Sequence, residues 1–353
     1  MVVLLALAYV LGVAACGGRP ASPAPEVHEV TGPTMGTRYS VKIAGPLDAR
    51  ARRRVVAAID AELARIDELM STWHDESEIS RFNRQPPGKP FPVSEETADV
   101  LATAKRVTEL SGGAFDITVG ALARAWGFGP KPRLPTVPTA DELTAARAGV
   151  GVHSIGFDQA ARTVTRLHPE TMLDLSAIAP GFAADRVADA LVGLGHVHVL
   201  VDIGGELKAI GRRPDGSAWR VGVARPKQGL PAVERGQSRD DLAVTVQLAN
   251  QALATSGDEG NFWVDETGAR RGHIIDPRTG HPVSHQLASA TVVHPRAADA
   301  DALATALMVL GPVDGPALAE REQLAAYFIV RGSNGRLDTQ ETRAFTALRT
   351  GRP

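Results

Sequence analysis

The sequence predicts an α+β fold, built as a single mixed domain, on three observations. Apolar residues recur at helical spacing before residue 150, the segments after residue 151 are strand-like, and no linker divides the two regions. Regular βαβ alternation, the mark of a parallel sheet, is absent. With 353 residues and 44% hydrophobic content the chain can bury a large core. Its net charge of -2 argues against a generic polyanion binder, and no basic stripe with interleaved aromatics points to nucleic acid.

The first fifteen residues carry no charge and lead through Leu11-Gly12-Val13-Ala14-Ala15 into Cys16, the only cysteine. The apolar part is shorter than the roughly 20 residues a membrane span needs, and small residues precede the cysteine, as in a bacterial lipoprotein signal. Residues 1–16 are thus expected to be a lipoprotein-type signal segment, 17–26 a flexible tether rich in Gly, Pro, Ala and Ser, and 27–353 the globular domain. A lipid anchor on Cys16 would hold that domain to a membrane of the bacterial cell envelope, facing the periplasm or exterior. The alternative is a buried N-terminal helix with one inert thiol.

Along the domain, residues 27–30 and 39–43 alternate as a hairpin around Gly32-Pro33-Thr34-Met35-Gly36. Val55, Ile59, Leu63, Ile66 and Met70 then form one apolar stripe on a long helix. A second helix is expected over about 95–110, with acids in its first turn and Gly112-Gly113 closing it. Thr139-Ala140-Asp141-Glu142 has the capping-box pattern of a third. Strands are expected at 152–157, 163–167, 197–203, 219–223, 242–248, 288–293 and 325–330, with helices at 182–194 and 298–310.

The run Leu173-Asp174-Leu175-Ser176-Ala177-Ile178-Ala179-Pro180-Gly181-Phe182 sets a carboxylate among apolar or small residues before a proline-glycine break. It reads as a strand, a tight loop and a helix start, with Asp174 a buried carboxylate in need of a partner. Asp301 and Thr305 lie four residues apart on the expected helix from Ala298, so two hard oxygens share one face. Such a pair suits magnesium, although Asp-x-x-x-Thr alone is more often an ordinary polar face. His273, Asp276 and Arg278 on one turn can contact a phosphorylated ligand or simply reverse the chain. His273, His281 and His285 make a weak metal set, lacking a carboxylate or cysteine partner.

Thr255-Ser256-Gly257 reads first as a serine-threonine turn, since the pattern Gly-x-Ser-x-Gly is missing. Gly112-Gly113-Ala114-Phe115-Asp116 reads either as a helix C-cap entering a strand or as a ligand loop. In the second case Phe115 and Trp73 offer flat surfaces, Met35 lies nearby, and Asp116 offers a polar partner. The turn at 201–206 carries the same ambiguity. Neither a P-loop nor Gly-x-Gly-x-x-Gly is present, so a nucleotide would need another cradle.

Taken in order, these segments resemble the ApbE family of FAD:protein FMN transferases. The resemblance rests on Met35-Gly36-Thr37, the run from Ser77 to Asn83, Gly113-Ala114-Phe115-Asp116-Ile117-Thr118, residues 173–185, Asp202-Ile203-Gly204-Gly205, Thr255-Ser256-Gly257, His273-Ile274-Ile275-Asp276-Pro277 and residues 300–305. It implies a T-fold-like single α+β domain. The implied activity is magnesium-dependent transfer of FMN from FAD to a threonine or serine hydroxyl of an acceptor flavoprotein, releasing AMP. An FAD pyrophosphatase or a catalytically impaired flavin-binding lipoprotein is the alternative. Carried over by position, Asp301 and Thr305 are the catalytic metal-binding side chains, and Ala177 gives the metal a carbonyl. Met35, Trp73, Ala114, Phe115, Asp116, Asp174 and Ile275 match flavin-nucleotide contacts, Trp73 standing where tyrosine is usual. Pro180 occupies a cofactor-contact position where the family usually has lysine, which predicts weakened FAD affinity or turnover, with Arg278 the nearest candidate cation.

Overall fold

The structure, a computed structural model, describes residues 26–130, 136–226, 241–259, 261–332 and 335–349. The expected signal segment, Cys16 and nearly all of the tether lie outside the described residues. The chain opens with β1 (Val27–Thr34) and β2 (Thr37–Ala44), then α1 (Ala49–Met70), α2 (Glu78–Arg84), β3 (Pro90–Pro92) and α3 (Glu95–Leu110). Next come α4 (Gly120–Ala125), α5 (Ala140–Ala148), β4 (Ile155–Asp158), β5 (Thr163–Arg166) and α6 (Ala179–Gly193). The hairpin β6 (Val199–Ile203) and β7 (Glu206–Ile210) precedes β8 (Trp219–Ala224), β9 (Leu242–Leu248) and β10 (Gln251–Gly257). Four short strands follow: β11 (Phe262–Val264), β12 (Arg270–Gly272), β13 (Ile275–Asp276) and β14 (His281–Pro282). Then β15 (Leu287–His294), α7 (Ala297–Arg321), β16 (Ala325–Arg331), β17 (Leu337–Glu341) and α8 (Arg343–Thr346) close the described chain.

Eight strands form one antiparallel sheet in the order β1-β2-β6-β7-β10-β15-β16-β17. Alternate residues sort its two faces, as the two-residue period of a strand requires. Ala252, Ala254, Ala290 and Val292 join the main core with α6 and α7. Leu253, Ala288 and Val293 face the other way, against the β8–β9 hairpin and Phe345 of α8. A third cluster around Trp126 joins α4, α5 and Ile275.

The expected hairpin, the α1 stripe and the 95–110 helix are all present, and the Thr139–Glu142 capping box is made in both directions. Four expected element types are corrected. Residues 173–178 form no strand: the run is a loop whose backbone is clamped from outside, and the helix begins at Ala179 with Pro180 in its first turn. Likewise Thr255-Ser256-Gly257 is the end of β10, not a turn. Residues 152–154 coil into a 3-10 turn before β4, and Gly112-Gly113 leads through turns into α4 rather than into a strand. The helix expected over 298–310 extends to Arg321 across a kink at Gly311, where φ is 81° and Pro312 follows.

Small residues set the distance between the two central helices. Ala183, Ala184 and Ala188 of α6 and Ala298, Ala302 and Ala304 of α7 are essentially fully buried. The start of α7 is capped by the neighbouring helix: Asp185 accepts from the N–H groups of Ala297 and Ala298 at 2.8 and 3.1 Å. A carboxylate at a helix N-terminus answers its unpaired donors and its dipole. Lys208 of β7 completes the arrangement, 2.9 Å from Asp185 and donating to the Pro295 carbonyl at 2.6 Å.

Candidate active site

The loop between α3 and α4, the 173–178 run and α7 are tied together near the first turn of α6, and two hairpin turns flank this region in sequence order. The β1–β2 turn is made by Met35 and Gly36, with φ of 44° and 70°. Two left-handed residues in succession match the twist of a tight hairpin, but for methionine the conformation is strained. Met35 packs partly buried against the main core.

The loop between α3 and α4 is fixed by its own polar side chains. Ser111 Oγ accepts from Phe115 N at 3.1 Å. Asp116 Oδ1 accepts from the Thr118 N–H at 2.8 Å and from its hydroxyl at 2.6 Å. Burial pushes the Asp116 carboxyl above the usual range, while the Thr118 bonds pull the other way. Phe115 is only 3% exposed and sits in the core, so its ring is not the flat surface expected from sequence. Trp73 is that surface: it lies beyond the end of α1 and is 65% exposed.

This loop holds the 173–178 segment. Asp174 N donates to Ile117 O at 2.7 Å, and Asn83 clamps Leu173 through both backbone groups at 2.8 Å each. The Ser77–Asn83 motif thereby gains a structural meaning: Ser77 caps α2 and Asn83 secures the loop. Asp174 is half-buried rather than buried, and its carboxylate accepts from Ser176 N at 2.9 Å. That local bond, together with partial solvent access, meets the need for a partner inferred from sequence.

The next contact joins this loop region to α7. Gly181 N donates to Asp301 Oδ2 at 3.0 Å. A Cβ on Gly181 would lie 2.4 Å from the Ala297 carbonyl oxygen, so only glycine permits this approach. Asp301 is 5% exposed, and Thr305 Oγ1 is 2.8 Å from Ser256 Oγ on β10. The Asp301–Thr305 face expected from sequence therefore exists and points towards the sheet.

Sequence reasoning did not single out Glu206. It sits on the α7 side of the sheet with Lys208, two positions on, whose partner in register is Ala252 of the main core. Burial pushes the Asp301 carboxyl up to about 7. The Glu206 carboxyl rises well above its usual range through burial, then through the negative charges of Asp301 and Asp202. Lys208, on the same strand face, is committed to Asp185, and among the described residues no basic group pairs with Asp301 or Glu206. An acid beside an alanine-rich helix is the signal that could have marked Glu206.

The β13–β14 hairpin lies beside the 113–118 loop. Ile275 is buried against Trp126, and Arg278 grips Asp276 with two 2.9 Å bonds from Nε and Nη2. The Arg278 stem lies 3.8 Å from where a Cβ on Gly113 would stand, which brings this hairpin beside the 113–118 loop. Arg278 is thus ion-paired with Asp276 and stays part-exposed beside that loop. The three histidines separate in role: His273 Nδ1 contacts Asn261 O at 3.0 Å, His281 packs edge-on to Trp126, and His285 lies against Gly311. Burial lowers the His273 pKa, which favours a neutral ring. No group of three or more His, Cys, Asp or Glu residues able to cage a metal occurs among the described residues.

The donor set instead fits a cation that the protein holds only in part. One carboxylate and one hydroxyl on a single helix face are hard oxygens, and two uncompensated carboxyls favour positive charge between them. Magnesium binds in this manner, keeping waters and sharing phosphate oxygens. Ala177, in the loop two residues before α6, belongs to the segment that Gly181 ties to Asp301.

Residues 35–328 match the model of the ApbE family. The chain is 38% identical over 332 residues to the FAD:protein FMN transferase of Vibrio cholerae, covering 94% of both chains. It is 35% identical over 330 residues to the FAD:protein FMN transferase of Escherichia coli, covering 92% of this chain and 91% of that one. Among solved structures, it resembles the flavin transferase ApbE of Vibrio cholerae with a TM-score of 0.80 and 36% identity, over 92% of this chain and all of that one. The apo flavinyl transferase ApbE of Pseudomonas stutzeri gives a TM-score of 0.81 at 38% identity, over 92% and 97% of the two chains.

Proposed function

The chain belongs to the ApbE family, and on that premise we propose that it is an FAD:protein FMN transferase dependent on magnesium. In the reaction, a threonine or serine hydroxyl of an acceptor protein forms a bond to the phosphorus of the FMN half of FAD. The pyrophosphate P–O bond breaks, AMP departs with the bridging oxygen, and the hydroxyl loses its proton. The observation that carries the reading is the Asp301–Thr305 face of α7, fixed by Gly181 from one side and Ser256 from the other.

The Asp301 carboxylate, the Thr305 hydroxyl and the Ala177 carbonyl are assigned to the metal. When bound, magnesium neutralises charge on the phosphate oxygens as the pyrophosphate is cleaved. Gly181 fixes one oxygen of Asp301 and so orients the other. Glu206 places a second carboxyl beside Asp301, and a cation bound there would favour the charged form of both. Trp73 is assigned to stack on the flavin ring system. Met35, Ala114, Phe115, Asp116, Asp174 and Ile275 complete the flavin-nucleotide contacts, Phe115 through its backbone because its ring is in the core. Catalysis in this arrangement is mainly positioning, worth several orders of magnitude when geometry is right. Pro180 preserves the helix start but supplies no charge to FAD. We also propose, from the sequence of residues 1–16, that Cys16 carries a lipid anchor at the cell envelope.

The test incubates the purified protein with FAD, magnesium and an acceptor domain bearing a threonine or serine site. Covalent flavin fluorescence on the acceptor with matching AMP is the expected result. AMP without labelling would instead establish an FAD pyrophosphatase. FAD binding without AMP in either condition would overturn both enzymatic readings.

A further inference from the structure

A threonine within a helix commonly turns its hydroxyl back to the carbonyl four residues earlier. Three threonines here do so: Thr108 Oγ1 donates to Ala104 O at 2.9 Å, Thr144 Oγ1 to Ala140 O at 2.8 Å and Thr346 Oγ1 to Thr342 O at 3.2 Å. Thr305 departs from this habit. Its hydroxyl pairs with Ser256 Oγ at 2.8 Å, and the carbonyl it passes over is that of Asp301.

The sheet explains how Ser256 reaches it. Ser256 pairs with Ala290 of β15, and Ala254 pairs with Val292. Ala254, Ala290 and Val292 all belong to the main core with α7, so Ser256 projects from the same face. Thr255 points away and bonds to Thr291 at 2.8 Å. A shift of register by one residue would aim the wrong hydroxyl at the helix.

A hydroxyl has one hydrogen and two lone-pair directions. Whichever hydroxyl donates, the pairing draws the Thr305 oxygen off the helix backbone, and a Thr305 hydroxyl that gives its hydrogen to Ser256 keeps both lone pairs for a cation. A hydroxyl bound to a cation is a stronger donor, so a neighbouring acceptor gains importance once the metal is present. We propose that Ser256 is a positioning residue for the metal centre, holding the Thr305 hydroxyl as a ligand beside Asp301. The assignment rests on the reading of Asp301 and Thr305 as the magnesium pair. Ser256 touches neither FAD nor the metal in this role. It acts through Thr305, as a partner that orients a metal ligand.

The test measures Mg2+ and Mn2+ binding to the full chain by calorimetry, together with FMN transfer against magnesium concentration and the metal-free unfolding temperature. Ser256→Ala is expected to weaken metal binding by about tenfold or more, the range seen when a ligand's supporting partner is lost. Its rate should recover towards that of the parent at saturating magnesium, with the unfolding temperature unchanged. Ser256→Thr keeps the hydroxyl and should restore parental metal affinity, which a purely structural role would not demand. Should Ser256→Ala fail to fold, Ser256→Cys fills the space with a poorer hydrogen-bonding group and carries the same expectation. Parental metal affinity in these variants would overturn the proposal. A parent chain that binds no metal would overturn it together with the reading beneath it. A parent that binds metal but transfers no FMN would overturn only the transferase, leaving Ser256 to be judged on the calorimetry.

Discussion

The Gly181 N–H donates to the Asp301 carboxylate at 3.0 Å, joining the start of α6 to α7 across 120 positions of sequence. The small residues between the helices allow that approach, and the bond engages Asp301 Oδ2, leaving Oδ1 for chemistry. A Cβ at position 181 would stand 2.4 Å from the Ala297 carbonyl oxygen and 2.8 Å from the Asp301 Cβ, with backbone as the main obstacle. Gly181→Ala should therefore destabilise the protein by about 1–3 kcal/mol, the usual cost of overpacking. Urea unfolding measures this. An unchanged midpoint would show that the helices part without penalty.

A second prediction concerns pH. The Asp301 carboxyl is raised from 3.8 to about 7 in the folded chain. Between those values the folded state keeps a proton that the unfolded state has lost, so stability falls as pH rises and levels off above about 7. Raised Glu206 adds in the same direction. Unfolding temperatures of the metal-free protein should drop across this window, and magnesium at pH 8 should restore them. Asp301→Asn should flatten the profile and abolish metal-dependent transfer. A parent profile no steeper than that of Asp301→Asn would contradict the placement of this charge.

Pro180 offers a gain-of-function test. It lies in the first turn of α6, next to the glycine that binds Asp301. Pro180→Lys restores the cation usual in the family, and a hydrogen bond to a charged group is worth about 1.5–3 kcal/mol. A cation at a helix start costs about 0.3–1 kcal/mol of that. Flavin fluorescence titration should thus show FAD binding several-fold tighter than in the parent. Unaltered affinity would mean the nucleotide phosphates lie out of reach of this position.

Trp73 separates binding from stability. At 65% exposure its removal leaves no cavity, so Trp73→Ala should change stability by less than about 0.5 kcal/mol. Loss of an aromatic stacking partner should weaken FAD by about 0.5–1.5 kcal/mol, or up to about tenfold. Equal FAD affinity in parent and variant would remove Trp73 from the flavin site.

Much of the fold was legible where local pattern and tertiary packing agree. The α1 stripe at Val55, Ile59, Leu63, Ile66 and Met70 is buried as its spacing predicts, and the Thr139–Glu142 capping box closes α5. The α7 face was legible because Asp301 and Thr305 are four residues apart, which fixes their common side. Misreadings arose where distant partners decide conformation. Leu173 and Asp174 look like strand residues, yet Asn83 and Ile117 take their backbone hydrogen bonds and hold them as a loop. Thr255-Ser256-Gly257 has turn composition, yet pairing with Ser289, Ala290 and Thr291 of β15 makes it strand. Phe115 looked available to a ligand, but only packing reveals that its ring is in the core.

By itself, the sequence determined the longer helices, the placement of Pro180 at a helix start, the shared face of Asp301 and Thr305, and the family resemblance, because spacing and local chemistry encode all four; the short helices at 78–84, 120–125 and 343–346 were not marked by it. The tertiary structure alone decided that Glu206 faces Asp301, that Thr305 pairs with Ser256 rather than with the helix backbone, and that Arg278 is ion-paired with Asp276. Those contacts depend on strand register and helix spacing, and both are set by partners far away in the chain.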